Sequence, residues 1–121
     1  MGFEIEIKVR VEALEPIEAK LIENNAELIA DQDEHDVYYN APHKDFAETD
    51  EALRLRYVNN QKCGKIMPPC ITYKGPKVGR EGFKAREEII VDLSSGEDFA
   101  VLLEKIGYRR TAAVDKHRKI Y

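Results

Sequence analysis

Cysteine is nearly absent, with Cys63 and Cys70 the only two in 121 residues. Their Cys-x6-Cys spacing, with no second pair, fits neither a disulfide framework nor a zinc site, so both read as free thiols in a reducing compartment. No apolar run approaches the roughly 20 residues of a membrane span. The start Met1-Gly2-Phe3-Glu4 lacks the basic-then-apolar order of a signal peptide. A soluble cytoplasmic protein without a membrane partner is expected. Short catalytic signatures are missing as well: there is no Ser-His-Asp arrangement, no Walker-type glycine loop and no dinucleotide fingerprint. Histidine is sparse, and His35, His43 and His117 are not arranged as a metal triad, so surface or structural roles are expected for all three. Neither an internal repeat nor a low-complexity segment is present.

Charge, by contrast, is abundant. Charged residues make up 35% of the chain, against about 25% for an ordinary globular domain. The 43% of hydrophobic residues suffices for one core, and the length fits a single domain. The net charge of -4 conceals an asymmetry: residues 1–51 sum to -11 and residues 52–121 to +7. Nucleic-acid binding calls for an overall basic domain or a compact basic run, whereas these bases stand singly along strand-like segments. A small polyanion is the better-matched ligand.

The bases follow a period of two. Phe3 to Val11 alternates Phe3, Ile5, Ile7, Val9 and Val11 with Glu4, Glu6, Lys8 and Arg10, the pattern of a strand with one charged face. Leu14, Ile17 and Leu21 behind Pro16 predict an amphipathic helix from Leu14 to about Ala26, ending at Asn24-Asn25. Leu28 to Tyr39 reads as a strand closing on Asn40-Ala41-Pro42. Ala52 to Val58 alternates Arg54 and Arg56 with apolar residues, and Asn59 to Pro69 reads as a hairpin loop. Ile71 to Lys74 forms a short strand, Lys77 to Gly82 a mobile loop, and Lys84 to Val91 a further strand. Ser94-x-x-Glu97 predicts a capping box for a helix lined by Phe99, Leu102, Leu103 and Ile106 and stopped at Gly107. Arg109 to Tyr121 reads as a last strand. Tyr38, Tyr39, Tyr73, Phe83 and Phe99 are assigned to core or rim packing. About six strands and two helices, joined by connections mostly too short for crossovers, describe an α+β fold on an antiparallel sheet.

The charged faces comprise Glu4, Glu6, Lys8 and Arg10; Arg54 and Arg56; Lys74; Lys84, Arg86 and Glu88; and Lys116 and Arg118. Alternating charge on one strand is ordinarily a solvated face. Five such segments together favour a curved sheet or barrel with a polar interior, because buried unpaired charges cost several kcal/mol each. An excess of cations over carboxylates suits a polyphosphate. Glu4 and Glu6, two residues apart, are candidate ligands for a divalent cation such as Mg2+ or Mn2+. Cross-strand salt bridges to Arg54, Arg86 or Arg118 are the alternative for both.

The series Glu4-Ile5-Glu6-Ile7-Lys8, Tyr38-Tyr39-Asn40, Ala52-Leu53-Arg54-Leu55-Arg56, Thr72-Tyr73-Lys74-Gly75-Pro76, Arg86-Glu87-Glu88 and Lys116-x-Arg118 resembles, in order, the CYTH superfamily of class IV adenylyl cyclases and triphosphatases. The resemblance covers nearly the whole chain and is nearest to class IV adenylyl cyclase-like proteins. It implies a triphosphate tunnel with Glu4 and Glu6 on Mg2+ or Mn2+. It further implies that Lys8, Arg54, Arg56, Lys74, Arg86, Lys116 and Arg118 bind ATP or another triphosphate. Lys8 and Glu88 are carried over as catalytic groups, Glu88 as an inward carboxylate orienting a base or the metal shell. Cyclisation of ATP to cyclic AMP and pyrophosphate, hydrolysis as an organic or inorganic triphosphatase, and a non-catalytic polyphosphate- or nucleotide-binding module all remain open. Family members continue with further strands bearing an aspartate and a Glu-x-Glu pair, which this sequence lacks after Tyr121. A C-terminally short single domain spanning residues 1–121 is therefore expected, with an open sheet edge that pairs copies into a homo-oligomer or else leaves a fragment weakened in stability and metal affinity.

Overall fold

The computed structural model describes residues 2–62, 64–79 and 84–121. Cys63, Phe83 and the later part of the expected Lys77–Gly82 loop lie outside the described residues. Among the described residues seven strands form one antiparallel sheet: β1 (Gly2–Glu6), β2 (Ala30–Asn40), β3 (Ala52–Asn60), β4 (Lys65–Ile66), β5 (Cys70–Lys74), β6 (Lys84–Asp92) and β7 (Arg109–Ile120). Six follow the order β1-β6-β5-β3-β2-β7, and the two-residue β4 pairs with β3 off this path. The sheet is curved and not closed, since β1 and β7 stand at opposite ends of the described order. The described residues also form three helices: α1 (Glu15–Glu23), α2 (Phe46–Thr49) and α3 (Gly96–Lys105).

The register gives the sheet two unlike faces. Glu4 pairs with Arg86, Lys74 with Glu88, Arg54 with Thr72, Arg56 with Asp36, and Glu34 with Lys116. Cross-strand partners share a face, as do residues two apart, so these side chains all lie on one side. The alternate residues put Val37, Tyr39 and Leu55 on the other side, where with Leu103 they form the core. Leu53, Tyr57, Ile71, Phe99 and Tyr108 pack around them. Helix α3 thereby packs on the apolar face, opposite the charged one.

Several local expectations change. The alternation that runs to Val11 does not keep β1 going past Glu6, which pairs with Lys84 at the described start of β6. Without a ladder partner beyond it among the described residues, Ile7 and Val9 are left exposed. The second helix starts one residue later than the capping box implies: Ser95, not Ser94, is the N-cap, its hydroxyl accepting from Asp98 N at 3.1 Å. Its buried stripe is correspondingly different, with Leu103 buried and Phe99 and Ala100 partly so, while Leu102 and Ile106 face solvent. Gly107 does end it, at φ 101°, a left-handed conformation that favours glycine. Asn25, at φ 63°, closes α1 as its side chain allows. The single turn α2 escapes periodicity analysis, being four residues long, and rests on Asp45, whose carboxylate accepts from Ala47 N at 3.1 Å.

Gly96 opens α3 directly against the sheet. A Cβ there would sit 2.5 Å from Tyr57 Cε1, closer than any non-bonded carbon pair tolerates. Gly96→Ala must push the helix off the ring and is expected to destabilise the protein by about 1–3 kcal/mol. Urea unfolding of the variant measures this, and wild-type stability would remove the contact from the list of packing constraints.

Candidate functional site: a charged cradle on one face of the sheet

The central strand β3 supplies the deepest cations. Arg54 and Arg56 are buried, an unusual state for arginine unless it is partnered. Arg56 Nε and Nη2 donate to the two Asp36 oxygens at 2.7 and 2.8 Å, and Nη2 lies 3.2 Å from Glu34 Oε1. That fork raises the Arg56 pKa above its ordinary value. Burial pushes the Asp36 carboxyl up, but hydrogen bonding to Arg56 and the Arg56 and Arg54 charges outweigh it and hold the acid below its usual range. From β7, Lys116 Nζ reaches to 3.3 Å of Asp36 Oδ2 and Arg118 Nε to 3.7 Å of Glu34 Oε1.

Arg54 differs. Its Nε is buried without a hydrogen-bond partner, and among the described residues no carboxylate pairs with its guanidinium within salt-bridge distance. Its charge acts at longer range on Glu4 and Asp36. Beyond it, Lys74 Nζ lies 3.0 Å from Glu4 Oε1 and 3.4 Å from Glu88 Oε2. Partial burial raises the Glu4 pKa, yet hydrogen bonds with Lys74 and Glu88 and the charges of Lys74 and Arg54 bring it below the ordinary value. Two carboxylates converging on one cation form the donor set that a hard dication also takes.

The structure thus brings Glu4, Arg54, Arg56, Lys74, Glu88, Lys116 and Arg118 to one face. Glu6 shares that face by register but contacts Lys8 at 3.4 Å, and Lys8 itself is exposed and does not reach the cradle in this conformation. Arg86 spends its donors on backbone, Nε on Gly75 O at 2.7 Å and Nη2 on Asp50 O at 3.2 Å, fastening two loops at the end of the sheet. The cation excess read from the sequence is offset by Glu34 and Asp36, both missed there. Their strand carries Asp31, Asp33 and His35 on the opposite face, so both faces are polar and the period of two gives no contrast. Only pairing Asp36 with Arg56 would have exposed it.

The opposite face holds a second polar group. His117 Nε2 lies 2.7 Å from Asp31 and Nδ1 2.8 Å from Asp33, while His35 Nδ1 lies 2.7 Å from Asp115. A cavity of about 640 Å³ adjoins it, lined in part by Tyr57, Ile66 and Met67. Glu34 and Lys116 also line that cavity, whereas Arg54, Arg56 and Lys74 do not. Among the described residues no three His, Cys, Asp or Glu side chains are grouped as a ready metal site.

The family model described as the CYTH domain matches residues 2–121. The chain belongs to the CYTH family. The CYTH chain is 34% identical over 118 residues to the "Putative adenylate cyclase MJ0240" of Methanocaldococcus jannaschii, covering 98% of itself and 63% of that protein. It is similar in structure to the PH1819 protein of Pyrococcus horikoshii OT3, at TM-score 0.73 and 31% identity over 84% of this chain and 55% of that one. The PH1012 protein of the same organism matches at TM-score 0.76 and 26% identity over 97% and 63%. A chain from Vibrio parahaemolyticus described as a putative adenylate cyclase shares the fold, at TM-score 0.70 and 19% identity over 97% and 60%. The chain therefore spans less than two thirds of the length of each. Triphosphate tunnel metalloenzymes of the CYTH family bind triphosphates and depend on metal.

On the other face, where Tyr73 pairs with Leu53, Glu51 accepts from Tyr73 Oη at 2.6 Å and pairs with Lys44 at 2.7 Å. The Lys44 bond, then the Tyr73 bond, hold its pKa down to about 2, and the same Glu51 contact pushes Tyr73 up to about 12. The depressed acid contributes stability above its ordinary value of 4.5 that is lost as pH falls toward 2. The raised phenol contributes below 10 and loses its contribution as pH rises toward 12. Thermal melts across pH are expected to show both slopes in the wild type, no alkaline one from this pair in Tyr73→Phe, and a reduced acid one in Glu51→Gln. Unchanged slopes would remove the pair from the list of stabilising contacts.

Proposed function

We propose that this chain is a single CYTH domain of a metal-dependent enzyme acting on triphosphates, with ATP cyclisation to cyclic AMP and pyrophosphate as its reaction. The observation that carries the reading is Arg54: a buried guanidinium without a salt-bridge partner among the described residues, flanked by Arg56, Lys74, Lys116 and Arg118 on one face. A buried unpaired cation is costly in isolation and inexpensive beside a bound polyanion. The name of the Methanocaldococcus jannaschii relative supports cyclisation over hydrolysis.

In this reading the β3 arginines and the β7 cations hold the phosphate chain, and Lys74 acts as a point charge between them and the carboxylates. Glu4 and Glu88, already converged, would hold Mg2+ or Mn2+, with Glu6 as the second β1 carboxylate that the family resemblance assigns. Mg2+ needs only one or two protein carboxylates when phosphates and waters complete its shell, so the donor set fits. The metal would neutralise charge on the phosphate oxygens and on the leaving pyrophosphate. Cyclisation requires the ribose 3'-oxygen to attack the α-phosphorus, losing its proton as pyrophosphate departs. Hydrolysis of the terminal phosphate needs water at the other end of the same cradle. The protein's part in both is orientation and charge neutralisation. Lys8 joins the substrate only if the segment after β1 folds inward on binding, and Arg86 serves by fixing the loops that frame the phosphates. The terminal strands β1 and β7 present edges on which copies of the chain would associate, a property that light scattering reads directly.

Mass spectrometry of products from ATP with Mn2+ tests the reaction: cyclic AMP and pyrophosphate are expected. ADP and phosphate would make it a triphosphatase. Absence of product with a rise in Tm on adding tripolyphosphate would make it a binding module. No product and no rise would end the triphosphate reading. Arg54→Lys, which keeps the charge and loses the fork, is expected to weaken tripolyphosphate binding by about tenfold or more, measured by isothermal titration calorimetry.

A further inference from the structure

Glu34 and Asp36 meet the same guanidinium in different ways. Asp36 takes Arg56 Nε and Nη2 in a two-point fork at 2.7 and 2.8 Å, which closes one edge of the guanidinium and fixes its plane. Lys116 shares the second Asp36 oxygen at 3.3 Å. Glu34 sits between two guanidiniums, its Oε1 3.2 Å from Arg56 Nη2 and 3.7 Å from Arg118 Nε. Yet that oxygen is buried without a directed hydrogen bond. Only its Oε2 is satisfied, by Gln32 Nε2 at 2.7 Å. Glu34 is therefore held near these arginines by charge and not by geometry.

The difference has a functional meaning for a site that must stand empty between ligands. Buried arginines without any anion are costly, so a resident carboxylate keeps the empty cradle folded. A resident that is strongly bonded fixes its partner, whereas one that is weakly bonded yields it to a more highly charged arrival. Asp36 meets the first description and Glu34 the second. Arg54, nearer Glu4, has no such resident among the described residues.

We propose, resting on the triphosphate reading above, that the two acids act in opposite senses on polyphosphate binding. Asp36 is a positioning residue that holds the free edge of Arg56 toward the cradle. Glu34 is an internal competitor that occupies Arg56 and Arg118 until a polyphosphate displaces its hold. Truncating the charge of the first weakens binding, and truncating that of the second strengthens it, although both changes remove one negative charge from the same place. Simple relief of repulsion would strengthen binding in both variants.

Isothermal titration calorimetry with inorganic tripolyphosphate, without metal and at fixed salt and neutral pH, separates these. Glu34→Gln is expected to bind about tenfold tighter than wild type and Asp36→Asn about tenfold weaker. The arginine Nε–H signals in 15N NMR provide a second readout: the Arg56 signal is expected to shift and exchange faster in Asp36→Asn and to stay in place in Glu34→Gln. Equal or weaker binding by Glu34→Gln, or unchanged or tighter binding by Asp36→Asn, overturns the proposal. Should Asp36→Asn lose its circular dichroism signature, Arg56→Lys replaces it. Its ammonium cannot keep the fork, so tenfold weaker binding supports the proposal and wild-type binding overturns it. A wild-type protein that does not bind tripolyphosphate overturns the triphosphate reading and this inference with it. Wild-type binding without the opposite changes overturns this inference alone.

Discussion

Charge folded against a sheet has to be answered by opposite charge, by water or by a ligand. In this CYTH domain that requirement organises everything else. The period of two places charged residues of six strands on one side and the apolar core of Val37, Tyr39 and Leu55 on the other, where Leu103 of α3 packs on it. The charged side divides into two groups. Around Arg56, two buried acids answer the cations of β3 and β7. Around Lys74, two glutamates share a single ammonium, and Arg54 stands between the groups with its Nε unanswered.

Much of this was legible in the sequence because it depends on alternation, which survives without knowledge of pairing. Arg54 and Arg56, like Glu4 and Glu6, announce a charged face by the apolar residues between them, whereas Lys116 and Arg118 have His117 between them and share a face by spacing alone. The order of the motifs likewise placed the chain in its family before any coordinate. What alternation cannot supply is where a ladder stops. The first strand reads as running to Val11, but among the described residues its ladder ends opposite Lys84, and Lys8 stands exposed beyond it.

Glu34 and Asp36 show the other limit. Both faces of β2 are polar there, and a pattern with no contrast carries no signal; the acids become visible only when the β2–β3 register sets Asp36 against Arg56. Serine capping illustrates the same point at small scale. Ser94 and Ser95 are both competent N-caps by composition, and Ser95 wins because Gly96 must lie flush on Tyr57. Tertiary contact, not local preference, chooses between them.

The strands that carry the cradle are not equally held. Strand β3 is hydrogen-bonded to β2, β5 and β4, whereas among the described residues β1 pairs with β6 alone and exposes Phe3 and Ile5. Amides of an inner strand open only with large-scale unfolding, while those of a terminal strand fray locally. The arginine wall is thus the slowly exchanging part of the molecule and the Glu4 wall the quickly exchanging one. Of the two walls, the one that carries Glu4 can therefore shift while the one that carries the arginines stays in place.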